Sequence, residues 1–434
     1  MSKRVSVMPA VVAIAVVLAT TMAADVASGN DPLGPDAAAV VSGNNQFAFD
    51  LYTTLAGQKD GNLFFSPYSV STALAMTYAG ARGNTATEMA DVLHFSLPQS
   101  DLHPAFAEVI GDLNASYRQG YQLDTANRLW GQQGYGFLPG FLDVTRDCYG
   151  AELAQVDFIG ETELARQTIN QWVQDQTQQK IQNLIPQGVL DSLTRLVLTN
   201  AVYFKSDWKY KFDPNRTHEA SFWTTPDESI TVPMMEQAIE LKYADLPTSK
   251  VLEMPYTNEE LSMLIFLPNE PDGLADLESW LTEETFSQSI DQMASDELFL
   301  AMPKFGMTQD FELSSVLASM GMPEAFNCGA ADFSGMDGTR SLFISSVVHK
   351  GYVNLDEEGT EAAAATEIET SVGIHPVFIA NHPFLFFIRD NRTQSVLFMG
   401  RVADLSAGAE GLVPEPAGCA LLALGGVAIL RRRK

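Results

Sequence analysis

Hydrophobic and polar positions follow two periods along this chain. From Asn44 the spacing is helical, with Phe47, Leu51 and Leu55 on one face, and Ala165–Leu184 carries Ile169, Trp172, Val173 and Ile181 at the same period. The first half therefore reads as mostly helical. Beyond it, strand-like runs dominate: Arg195–Phe204, Leu261–Leu267, Leu298–Phe305, Phe343–Val353, Phe384–Ile388 and Val396–Val402. The last two flank a polar turn typical of a hairpin. Residues 197–204 and 261–267 are almost continuously apolar, as strands covered on both faces are. Helices and strands segregate rather than alternate, which predicts an α+β fold on large, mainly antiparallel sheets. No repeat or linker interrupts residues 43–405, so they read as one domain. Residues 25–42, rich in Ala, Gly, Asp and Pro, read as a linker before it.

Both ends look like addresses. Residues 1–24 combine Lys3 and Arg4 with an apolar run and small residues, the pattern of a signal peptide cleaved near Ala23. Residues 406–434 hold a small flexible spacer, the breaker Val413-Pro414-Glu415-Pro416, an apolar run at 417–430, and Arg431–Lys434. This tail resembles the PEP-type sorting signal of Gram-negative bacteria, which implies an exosortase-type processing enzyme as a partner. A short membrane anchor would have the same topology, with the basic end cytoplasmic. Either way the body is expected outside the cell or in the periplasm, at the cell surface or transiently anchored.

Composition narrows the chemistry. Apolar residues make up 46% of the chain, enough for a large core, and 54 Asp+Glu against 26 Lys+Arg leave a net charge of −28. Such a body repels phosphates and anionic lipid, so nucleic acid is not an expected partner. Within the body only Cys148 and Cys328 are available to pair, because Cys419 lies in the tail. The six histidines show no i, i+4 pairing, so neither metal nor other cofactor is expected.

One stretch breaks the local rules. From Gly359 to His375, between two convincing strands, the chain offers no apolar face to bury. By propensity Thr360–Glu369 suits a surface helix, with Thr360 as cap and four consecutive alanines. The other reading is a segment that lives in two places. Residues as small as Thr360 and Ala362–Ala365 can stay solvated and later slide between strands, alternate side chains entering the core.

Here the sequence resembles a serpin over about residues 40–405. Residues 357–366, Glu-Glu-Gly-Thr-Glu-Ala-Ala-Ala-Ala-Thr, match the hinge of inhibitory members without a disruptive substitution. Asn62–Ser69, Gly80–Gly83, Leu198–Trp208, Val232–Met235, Met302–Phe305, Ala331–Gly335, His382–Leu385 and Phe398–Arg401 match further family motifs in order. The resemblance implies three β-sheets, about nine helices, and an exposed reactive loop at about 357–376 that baits a protease. It also implies a suicide-substrate mechanism: the protease acylates itself on the loop, and the cleaved loop then inserts into the main sheet and carries the protease with it. A monomer in covalent complex with its target is the expected assembly.

Residue by residue, the hinge is Glu357, Gly359, Thr360, Glu361, Ala362, Ala363, Ala364, Ala365 and Thr366. Ser66, Ser69, Asn200 and His349 match the shutter where the sheet parts, although by spacing alone a satisfied core histidine is the commoner role for His349. Trp208 and Lys304 match the breach above it, with Lys304 and Glu357 as an ion pair. The scissile bond falls among Val372, Gly373 and Ile374. None is basic, which points to an elastase-like or subtilisin-like protease and leaves a cysteine protease open.

Two rivals remain in view. Ser206-Asp207-Trp208-Lys209 fits S-x-x-K, but neither K-T-G nor S-D-N accompanies it, so an enzyme is not expected. A non-inhibitory serpin acting as a cell-surface or matrix component fits the tail, though not the intact hinge.

Overall fold

Every residue of Leu261–Pro268 is buried, as its unbroken apolar run predicts, and the hairpin partners Phe384–Asp390 and Val396–Val402 are buried throughout as well. These strands form the heart of a computed structural model that describes residues 33–115, 117–360 and 375–406. The leader, the sorting tail, the hinge residues Glu361–Thr366 and the bond candidates Val372, Gly373 and Ile374 lie outside the described residues.

Ten α-helices occur among the described residues: α1 Pro35–Ala56, α2 Pro67–Tyr78, α3 Gly83–Val92, α4 Gln99–Leu113, α5 Pro139–Tyr149, α6 Thr162–Gln176, α7 Leu274–Trp280, α8 Glu283–Asp291, α9 Ser314–Met320 and α10 Ser334–Asp337. Helix α2 is buried along its whole length. It can be so because small and apolar side chains surround it on all sides and Ser66 caps it by accepting the Ser69 N–H at 3.2 Å.

The strands are β1 Leu63–Phe65, β2 Tyr121–Gln132, β3 Ala154–Val156, β4 Leu196–Asp207, β5 His218–Trp223, β6 Ser229–Asp245, β7 Ser249–Pro255, β8 Leu261–Pro268, β9 Ala294–Pro303, β10 Phe305–Glu312, β11 Ser346–Leu355, β12 Gly359–Thr360, β13 Val377–Ile379, β14 Phe384–Asp390 and β15 Val396–Val402. One sheet runs β10-β11-β4-β2-β3, with β12 attached to β4. The other runs β1-β15-β14-β8-β7-β6-β9-β13, with β5 on β6. Strand β6 is long enough to pair with β5 and β9 and then with β7. It thereby joins two of the three expected sheets into one ladder. Pairing is mainly antiparallel; β11–β4, β2–β3 and β13–β9 run parallel.

Some expectations need correction. The stretch 35–42, read as linker, opens α1: Pro35 starts the helix and Ala37, Val40 and Val41 are buried. The helix expected over Ala165–Leu184 stops at Gln176, and Gln178, Gln179 and Asn183 take left-handed backbone angles, yet Ile181 still reaches the core. The run Leu298–Phe305 is two strands that part at Lys304. Cys148 and Cys328 are both free thiols.

The joint that matters lies between β4 and β11. They pair in parallel from Val197–Ser346 to Tyr203–Tyr352 and then separate, β4 continuing to Asp207 against β12.

Candidate functional site

Where β4 and β11 part, the chain leaving β11 turns back into the opening. Asp356 makes the reversal, its side chain accepting the Glu358 N–H at 3.0 Å and its own N–H donating to the Gly359 carbonyl at 3.0 Å. Gly359 and Thr360 then pair antiparallel with Asp207 and Ser206. Only glycine fits the first position: at φ +154° a Cβ would lie 2.2 Å from the Ser206 carbonyl oxygen. Thr360 is buried, and its hydroxyl shares a 3.1 Å hydrogen bond with the Tyr256 hydroxyl. Tyr256 stacks on Trp208 with ring centroids 4.5 Å apart. Trp208 holds the turn from below, its indole N–H donating to the Asp356 carbonyl at 3.1 Å and its backbone N–H to that of Glu358 at 2.7 Å.

The base of the turn is tied by charge. Lys304 Nζ donates to Glu357 Oε2 at 2.6 Å and Thr217 Oγ1 to Oε1 at 2.7 Å. Burial pushes the Glu357 carboxyl up, but these two donors outweigh it and hold the group below the usual glutamate range.

Lower in the same sheet, three strands bring polar groups together at one level. Asn200 on β4 lies opposite Asn127 on β2 and His349 on β11. The Ser66 backbone N–H donates to His349 Nε2 at 3.1 Å, so the imidazole proton sits on Nδ1 and goes to Asn200 Oδ1. The Asn200 amide donates to Ser69 Oγ at 2.7 Å and to Asn127 Oδ1 at 2.6 Å. Ser66 Oγ donates to the Leu397 carbonyl at 2.7 Å. His349 is fully buried, and burial lowers its pKa to about 3, so it is neutral at physiological pH. Each member satisfies another, the condition under which a buried polar cluster holds a sheet shut rather than weakening it.

These contacts connect residues scattered from 66 to 397, and comparison with known proteins explains why. The serpin (serine protease inhibitor) family model matches residues 42–405. This chain belongs to the serpin family. It is 44% identical over 375 residues to leukocyte elastase inhibitor from Homo sapiens, covering 84% of this chain and 98% of that protein. It is 40% identical over 384 residues to Serpin B3 from Homo sapiens, covering 83% and 98%. Among solved structures, uncleaved ovalbumin superposes with a TM-score of 0.77 at 30% identity, covering 84% of this chain and 100% of that one. Maspin superposes with a TM-score of 0.79 at 29% identity, covering 86% and 100%.

Serpins inhibit proteases and are not catalysts, and the S-x-x-K residues of this serpin agree. Ser206 Oγ is buried and donates to the Gly120 carbonyl at 2.7 Å, while Lys209 pairs with Glu259 at 2.7 Å. The structure does gather Ser66, Ser69, Asn200 and His349 into one cluster, and Trp208, Lys304, Glu357, Gly359 and Thr360 into another. Sequence reasoning missed Asn127, Thr217 and Tyr256. Asn127 carries no local signal, because Asp124 and Arg128 break the apolar pattern of β2 on either side of it.

Proposed function

We propose that this serpin is a suicide-substrate inhibitor of serine proteases, with an elastase-like or subtilisin-like target, and that it traps the acyl-enzyme by inserting its cleaved loop between β4 and β11. The observation that carries the reading is β12. Gly359 and Thr360 already occupy the first two rungs of a strand that has room to lengthen only into that joint. Continued in register, the ladder would bring Ala362, Ala364, Thr366 and Ile368 to the core side with Thr360, and Glu361, Glu367 and Glu369 to the other. Thr366 would arrive opposite Asn200, offering a hydroxyl to the partners that His349 gives up.

Insertion exchanges one parallel ladder for two antiparallel ones. A dozen backbone hydrogen bonds gained at ~0.5–1.5 kcal/mol each supply on the order of 10 kcal/mol. That exceeds the roughly 3–4 kcal/mol needed to disable an oxyanion hole. The small-residue hinge supports inhibition, and Val372 together with the relatives named leukocyte elastase inhibitor supports the target class.

The test is incubation with elastase and subtilisin, read by SDS gel for a covalent adduct and by mass spectrometry for the released peptide. An adduct with cleavage among Val372, Gly373 and Ile374, and a large rise in melting temperature once the loop is cut, is expected. Clean proteolysis with an unchanged midpoint would overturn inhibition and favour a non-inhibitory surface component. Export through residues 1–24, with later processing of the 406–434 tail by an exosortase-type enzyme, is part of the same proposal. Intact-mass measurement of the mature protein would reveal either truncation.

A further inference from the structure

Beyond the bond candidates the chain enters β13, which lies at one edge of the longer sheet. Two bonds fasten its start: the Phe299 N–H donates to the Pro376 carbonyl at 3.0 Å, and Lys250 Nζ to the Val377 carbonyl at 3.1 Å. Alternate residues then divide between core and solvent. Phe378, Leu300 and Ile239 are buried, whereas Val377 is 44% exposed and Ile379 36%. Residues directly opposite one another share a face, and the register sets out the solvent side in rows. Ile379 lies beside Ala301 and Glu236, and Val377 beside Phe299 and Ala238. Glu297 comes next, directly opposite Glu240.

This face is unfavourable in the free protein in two ways. Large aliphatic side chains on an edge strand stand in water, where a sheet is prone to unwanted association. Glu240 and Glu297 set like charges directly opposite each other, which weakens the pairing of β6 with β9. A partner that covers the aliphatic side chains and brings positive charge to the carboxylates relieves both at once.

Position says which partner that is. Val372, Gly373 and Ile374 precede Val377 by no more than five residues, at most about 18 Å of extended chain. A standard protein interface covers ~800 Å² on each side, a patch roughly 30 Å across. An enzyme that holds the scissile bond therefore has this face within its footprint.

We propose that the outer face of β13, β9 and β6 is a second docking surface for the target protease. Val377 and Ile379 pack against the rim of its cleft, and Glu236, Glu240 and Glu297 receive a basic patch beside that rim. This rests on the inhibitory reading and adds the charge of the target, a cationic enzyme. Complementary charge at such a face acts chiefly on the rate of encounter.

Association rates with a cationic and an anionic elastase, with adducts scored on SDS gels, test this. Glu240→Gln with Glu297→Gln should slow the cationic enzyme at least fivefold at low ionic strength, less at high, and should not slow the anionic one. Asp60→Asn with Asp310→Asn removes as much charge near β1, at the opposite edge of the sheet, and should change either rate less than twofold. Val377→Ser with Ile379→Ser should slow both enzymes. The proposal fails if the first pair slows association no more than the remote pair, or if the serine pair leaves both rates unchanged. It also fails if sedimentation shows a dimer that the serine pair dissolves, because the face then serves a second copy. All of these variants should still form the covalent adduct; a parent chain that forms none sinks the inhibitory reading instead.

Discussion

Ala364→Arg sets the insertion register against a direct measurement. Extending the pairing of Gly359 with Asp207 and Thr360 with Ser206 brings residue 364 opposite Val202, on the face that packs into the main core. Val202 is wholly buried. An arginine arriving there would be an unpaired charge in that core, at a cost of about 3–5 kcal/mol. Each 1.36 kcal/mol is tenfold in rate, so insertion should slow by a factor on the order of 10³. Hydrolysis of the acyl-enzyme then wins the race, and the variant becomes a substrate. Glu361→Arg is the control, because that position falls on the opposite face and carries a charge already. Titrating active elastase with each protein gives the stoichiometry of inhibition. It should rise many-fold for Ala364→Arg and stay near the parent value for Glu361→Arg. Equal behaviour of the two variants, or an intact covalent adduct from Ala364→Arg, would refute the register.

Three further outcomes follow from the geometry. His349 has a pKa of about 3 when folded against 6.5 as its ordinary value, so the unfolded chain binds the extra proton between those limits; stability is complete above pH 6.5 and falls by about 1.4 kcal/mol per pH unit below it. Urea midpoints at pH 7 and pH 5 should show this loss, reduced in His349→Gln, with contributions remaining from His103, whose pKa burial lowers to about 4, and from His382, which burial also lowers. Lys304→Gln leaves the buried Glu357 carboxylate with Thr217 as its remaining side-chain donor, which should lower stability by about 1–3 kcal/mol and speed spontaneous loss of inhibitory activity at 37 °C. Gly359→Ala forces a Cβ to within 2.2 Å of the Ser206 carbonyl, so Gly359 and Thr360 should leave the sheet, seen as faster amide hydrogen exchange in β4 at Ser206–Asp207.

The parts of this fold that could be read from the sequence are those where burial leaves one solution. Strands β4, β8, β14 and β15 are covered on both faces, and their apolar runs have nowhere else to go. Strand β2 was hidden because Asp124, Asn127 and Arg128 interrupt its apolar pattern; its place is set by pairing with β4 along nearly its whole length. The hinge shows the same override. At Gly359 and Thr360 the free edge of β4 supplies hydrogen bonds through Asp207 and Ser206 and holds both residues extended, while the alanines that follow lie outside the described residues. Asn127 and Tyr256 became legible only in three dimensions, since each acts through partners far away in sequence, Asn127 through Ser69 and Asn200 and Tyr256 through Trp208 and Thr360.

The β4–β11 joint does not discriminate by ownership. Its backbone donors and acceptors would accept any strip of small residues spaced in twos, including residues 360–371 of another copy of the same chain. Warm, concentrated solutions should therefore grow linear, beaded polymers, each link a donated strand, and a short peptide copied from residues 360–371 should cap their growth. A shelf life set by collision frequency is thus built into a joint that must open once.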